Sequence, residues 1–249
     1  MHSPPWARAM LALASAAAAW SAAAHDITSA PSKDKRLRAE WDVVQARAAI
    51  DGRHLVFDMQ VSGRAGKSRP AKSGQLAGSR VFSYVWPTSL DPSAVGFEQK
   101  AGILAFAVTA HPDFDDTPLF DENGDGEADN DGNVWHSHWV VLVRDDACGK
   151  DALKVKDIPE GTAPKLPATW PGLPLHIDSP GYSPSLKGQR VRVKVPLAAV
   201  GAVEGMQFDA VTAALRVNAS VHAPLLCVTD VFKIASGDLS LPGKVTPKK

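Results

Sequence analysis

Apolar and polar residues alternate along much of this chain with a period of two. In "HLVFDMQV", Leu55, Phe57, Met59 and Val61 share one face, while His54, Val56, Asp58 and Gln60 share the other. That is the pattern of a strand with one side on a core. The preceding "EWDVVQARAAI" reads as its partner, because Asp51-Gly52 supplies the positive φ values that a tight hairpin turn requires. "RVFSYVWP" predicts a strand stopped by Pro87. "GILAFAVTAHP" is so continuously apolar that it predicts a strand buried on both faces, ending at His111-Pro112. "VWHSHWVVLVRDD" follows, then "QRVRVKVPLAAV", whose clean alternation predicts a half-exposed strand. "GMQFDAVTAALRVNASV" and "APLLCVTDVFKI" bring the total to about eight strands.

The segments between these strands break regular structure. "GRAGKSRPAKSGQLAGS" is a glycine- and lysine-rich loop, and Ile158 to Pro184 carries too many prolines to sustain a ladder, so it predicts an ordered loop or covering strap. With no long amphipathic helix and no internal repeat, the pattern predicts an all-β fold, an antiparallel β-sandwich with long loops. Residues 25–249 read as a single domain with a mobile lead-in (about 25–39) and a frayed tail, "LPGKVTPKK".

The first 24 residues are set apart. Arg8, an apolar run and Ala22-Ala23-Ala24 make a secretory signal peptide, so the expected location is periplasmic, cell-surface or secreted. Cleavage after Ala24 exposes His25, whose amino group and imidazole together form a histidine brace for copper; cleavage after Ala22 or Ala23 does not. Without Arg8, 26 basic residues face 27 acidic ones, so nothing in the charge calls for nucleic acid or membrane insertion. The two cysteines, Cys148 and Cys227, are expected to form a disulfide in an oxidising compartment.

Two stretches carry candidate chemistry. Asp121, Asn123, Asp125, Gly126 and Asp129 follow D-x-N-x-D-G-x-x-D, which matches positions 1, 3, 5, 6 and 9 of an EF-hand-type calcium loop. Position 12 is Gly132, and Asp131 is the nearest substitute. Six aspartates between Asp115 and Asp131 would repel one another without a cation. The expected calcium ligands are Asp121, Asn123, Asp125, Glu127, Asp129 and Asp131, with Asp113, Asp115 or Asp116 able to lend another. The competing reading is a solvated Asn/Asp/Gly turn.

The second stretch follows at once. On a strand, His136 and His138 project to one face, and Val140 and Leu142 make that face apolar below them. Trp135, Ser137 and Trp139 point to the other. His111 closes the preceding strand, and a returning loop would bring it near as a third imidazole, a set suited to copper or zinc. His54 reads as an edge or surface residue, and His176 and His222 lack ligand-like spacing.

The run from Ser83 to Val143, about a quarter of the chain, resembles the MopE and CorA group of secreted copper-binding proteins of methane-oxidising bacteria. The resemblance implies copper bound by two histidines, drawn from His111, His136 and His138, and a tryptophan oxidised to kynurenine, here Trp135 or Trp139. It also implies an accessory calcium ion and a partner di-haem peroxidase of the MauG-like kind. The sequence departs from the MopE pattern in having no Trp-x-His. G-x-S-x-G, H-E-x-x-H and phosphate-binding glycine loops are absent, so the expectation is no enzyme but an exported copper-binding protein for uptake, storage or buffering. The alternatives are a calcium-stabilised adhesion or carbohydrate-binding module, and a histidine-brace copper oxidase using His25.

Overall fold

A computed structural model describes residues 25–71, 75–112, 121–132, 134–218 and 223–247. Residues 1–24, on which the signal-peptide expectation falls, and Asp113, Asp115, Asp116 and His222 lie outside the described residues.

Along the chain, a short β1 (Ile27–Thr28) precedes the hairpin of β2 (Val43–Asp51) and β3 (His54–Val61). Asp51 pairs with His54 across a turn in which Gly52 takes φ +61°, a value its missing Cβ permits. Next come β4 (Arg80–Pro87), β5 (Ile103–Ala110), β6 (His136–Arg144) and β7 (Leu153–Val155). The proline-rich region forms only β8 (Ile177–Asp178), followed by β9 (Ser185–Lys187) and β10 (Arg190–Pro196). After one helical turn, Leu197–Val200, the chain completes β11 (Gln207–Phe208), β12 (Val211–Val217), β13 (Leu226–Ile234), β14 (Gly243–Lys244) and β15 (Thr246–Pro247). The longer strands among these are the ones the alternation predicts; the rest are pairings of two or three residues that leave no periodic signal.

The first sheet runs β1-β2-β3-β10-β9, with β15 added parallel to β2. The second runs β5-β4-β12-β13-β7-β6, and β6 then pairs back with β5. The chain is therefore all-β and, apart from β2 with β15, antiparallel. Its second sheet is not the open layer of a simple sandwich, because it closes into a ring. The outer side of that ring packs on the first sheet through aromatic contacts. Phe57 of β3 stacks on Phe106 of β5 at 4.7 Å and meets Trp86 of β4 at 5.5 Å and Trp139 of β6 at 5.9 Å. All four are fully buried, so this interface carries much of the hydrophobic stabilisation.

The ring has one weak seam. β13 and β7 share a single pair, Cys227 with Lys154. Two reinforcements lie at this point: the disulfide Cys148–Cys227, and Lys154, whose ammonium meets Asp145 at 2.7 Å and Asp157 at 2.5 Å. A bridge spanning 79 residues removes enough freedom from the unfolded chain to be worth about 4 kcal/mol. Urea unfolding of a Cys148→Ser, Cys227→Ser variant should show a loss of about that size. An unchanged midpoint would mean that closure of the ring does not lean on the bridge.

Candidate metal centre

Register brings the histidines together. β5 and β6 are antiparallel neighbours with Thr109 opposite His136 and Ala107 opposite His138. Cross-strand partners project to the same face, so Thr109 and His111 from one strand meet His136 and His138 from the other at one end of the ring. The imidazole of His136 lies between the other two, with ring centroids 5.0 Å from His111 and 4.8 Å from His138. All three are buried.

The fourth member was not foreseen from sequence. Glu122 reaches His111, with Oε2 2.5 Å from Nε2, and its side chain is only 12% exposed. His111, Glu122 and His136 each offer a ligand atom, and these atoms all lie within 4.8 Å of one another. Asp131, itself buried, explains why Glu122 is held there. Its carboxylate accepts the backbone N–H groups of Glu122 at 2.9 Å and Asn123 at 3.0 Å. The alternating positions 121, 123 and 125 mark one side of the loop, whereas Glu122, between the first two, faces the strand.

The tautomers follow from the partners. Nδ1 of His111 faces the carbonyl of Pro112 at 3.1 Å, and Nδ1 of His136 faces that of Val134 at 2.9 Å. Nδ1 of His138 faces the carbonyl of Asp178 at 3.3 Å and the hydroxyl of Ser179 at 3.2 Å. A carbonyl only accepts, so each Nδ1 carries the proton; Nε2 of His136 and of His138 keeps its lone pair, while Nε2 of His111 instead donates to the Glu122 carboxylate and would exchange that hydrogen bond for a metal. Nε2 of His136 is buried without a hydrogen-bond partner, as is Oγ1 of the paired Thr109. Leaving such an atom unpaired costs about 1–3 kcal/mol, which metal coordination would recover at the nitrogen.

Protonation favours the same use. Burial holds His136 well below the ordinary histidine value, helped by the neighbouring His138 and His111, and burial brings His138 down to about 3. Both are neutral, metal-competent imidazoles at ordinary pH. Burial pushes Glu122 up, but the adjacent His111 more than offsets this and keeps its carboxyl below the usual range. Two neutral nitrogens, a third within van der Waals reach and a carboxylate make a mixed nitrogen–oxygen set suited to Cu(II) or Zn(II).

The other candidates lie elsewhere. Trp135 and Trp139 are in the core between ring and sheet, on the face of β6 opposite the histidines. Trp135 donates its indole N–H to the carbonyl of Gly66 at 3.3 Å. Neither tryptophan joins the imidazoles in this arrangement. His25 is exposed and bridges Lys244 through its backbone, outside the imidazole group. His176 is buried in the strap with Phe97 against its ring, and its Nδ1 faces the carbonyl of Lys156.

In the acidic loop, the Asp121 carboxylate accepts the N–H groups of Gly124, Asp125 and Gly126 at 2.7–3.0 Å. Asp125 accepts from Glu127 and Asn130, and Asn123 donates to Asn130. Among the described residues, Asp121, Asp125, Glu127, Asp129 and Asp131 do not converge on one point as His111, Glu122 and His136 do. Burial pushes the Asp131 carboxyl up, and the charges of Glu122 and Asp121 add to this.

No family model, curated protein or solved structure matches the chain. No helix among the described residues is long and apolar enough to cross a membrane.

The buried imidazoles give the metal-free protein a pH signature. Folded His138 titrates near 3 against an ordinary 6.5, so between these values the unfolded chain binds the proton first and stability falls as pH drops. Asp178, pushed up to about 6 by burial, acts in the opposite direction over a narrower span. Urea midpoints at pH 7 and pH 5 should therefore fall further for the wild type than for His138→Gln. Equal losses would contradict the buried, neutral state of His138.

Proposed function

We propose that this chain is an exported copper-binding protein, holding one Cu(II) through His111, His136 and Glu122, with His138 completing the set. The observation that carries the reading is the buried, unpartnered Nε2 of His136, flanked by two imidazoles whose Nδ1 atoms are also turned to backbone groups. Copper(II) binds such nitrogen–oxygen sites more tightly than the other divalent first-row ions, and a carboxylate ligand suits it better than Cu(I). Both cysteines are bridged, so no thiolate competes for the ion. The disulfide and the signal sequence agree with an oxidising destination. Binding for uptake, storage or buffering needs no catalytic group.

Calcium is the accessory part of the proposal. An ion held by Asp121, Asn123, Asp125, Glu127, Asp129 and Asp131 would relieve the charge crowding around Asp131 and stiffen the loop that delivers Glu122. Calcium would then act on copper affinity from a distance, through the backbone of Glu122. The kynurenine and the peroxidase partner implied by the MopE and CorA resemblance are not needed for this site.

Calorimetric titration with Cu(II), followed by metal analysis, should give one equivalent per chain. His136→Ala with His138→Ala should abolish the tight phase, and Glu122→Gln should weaken it by about 10–100-fold. Unchanged copper affinity in the double variant would remove the assignment. A loss of copper in Asp121→Ala with the histidines intact would move the site to the loop.

A further inference from the structure

The ring surrounds a cavity of about 330 Å³ that is partly open to solvent. Six-stranded rings are small enough for their own side chains to fill the interior, and here they do not. Ser83, Ala107 and Ala213 face inward where larger residues would close the space, and the remaining wall is aliphatic, with Val85, Leu142 and Leu215 among its members. The proline-rich strap adds Leu175 and Ile177 as a side wall, held by the pairing of β8 with β6. Polar groups appear mainly at one end of the cavity, where His111, Glu122, His138 and Thr109 contribute to the lining. Thr109 is buried, and its Oγ1 has no partner.

We propose that this cavity binds a slender, medium-chain carboxylate, with the hydrocarbon tail inside the ring and the head group at the histidine end. An apolar cavity of about 150 Å³ already accepts a benzene-sized guest, so roughly twice that volume suits about a dozen non-hydrogen atoms, the size of decanoate. A wall this apolar selects a hydrocarbon body. At the polar end the head group meets three chemical features. The metal ion provides positive charge, Thr109 provides an unused hydroxyl donor, and in the metal-free chain the Glu122 carboxylate, paired with His111, leaves an anion no open positive charge. The head-group half of the inference rests on the metal reading above, and it makes decanoate binding depend on the metal. A neutral decan-1-ol of the same length lacks that dependence.

The test is calorimetry on the mature chain, metal-free and loaded with redox-silent Zn(II), titrated with decanoate and with decan-1-ol. Decanoate should bind the zinc form at least about tenfold more tightly than the metal-free form, while decan-1-ol distinguishes the two little. Ala213→Leu, which fills the cavity away from the histidines, should abolish binding of both molecules and leave zinc affinity unchanged. Thr109→Val should weaken decanoate several-fold more than decan-1-ol. Independently of any variant, nuclear Overhauser contacts from the terminal methyl of decanoate should reach the methyl groups of Leu215 and Leu142. Absence of decanoate binding in the zinc form, or contacts only to surface residues, overturns the proposal. Equal decanoate affinity with and without bound zinc overturns the head-group placement. If zinc fails to bind the histidines while decan-1-ol binds and is lost in Ala213→Leu, the metal reading and the head-group placement fall together. The apolar cavity then stands as a site for neutral molecules.

Discussion

The pairing of β5 with β6 holds both the ring and the histidines in place. It closes the second sheet into a ring, and its register sets Thr109 opposite His136 and Ala107 opposite His138. Because a strand alternates strictly, a slip of one residue would turn the imidazoles outward and the tryptophans inward. The aromatic interface opposes such a slip. Phe106 and Trp139, which are paired across the two strands, contact each other at 4.9 Å and both contact Phe57 of the first sheet. The packing that stabilises the fold therefore also orients the histidines.

β6 divides two kinds of work between its faces. Trp139 and Val141 bind the ring to the first sheet, while His138, Val140 and Leu142 line the interior. The acidic loop adds the carboxylate. Asp121 and Asp131 accept backbone N–H groups from the segment between them, and this hydrogen bonding leaves Glu122 directed at His111. The strap supplies the remaining support, since the carbonyl of Asp178 and the hydroxyl of Ser179 fix the ring of His138. The end of β5, the acidic loop with the start of β6, and the strap some forty residues further on thus set the geometry of one group of side chains, and burial keeps His136 and His138 neutral.

The strands were legible because their period is short and their residues decide it locally. Leu55, Phe57, Met59 and Val61 are all fully buried, and Arg190 to Val195 alternates between exposed and buried. The common face of His136 and His138, with Val140 and Leu142 beyond them, followed from the same rule. Ring closure did not follow, because it rests on long-range pairing and on one Cys227–Lys154 contact that no local pattern encodes. Glu122 escaped notice because the calcium-loop spacing weights alternate positions and assigns this one no role. Its position depends on Asp131, nine residues on. The cavity was hidden for a different reason: small residues such as Ser83, Ala107 and Ala213 read as ordinary strand members until the ring places them around one space. The tryptophans stood close to the histidines in sequence, yet strand alternation separates them in space.

The metal we propose sits among the strand-borne imidazoles and Glu122 rather than in the oxygen-rich loop. X-ray absorption at the copper edge of the singly loaded protein measures this directly. The expected result is a first shell of nitrogen and oxygen near 2.0 Å, with the outer-shell scattering of at least two imidazole rings. A shell of oxygen alone, without imidazole scattering, would contradict it.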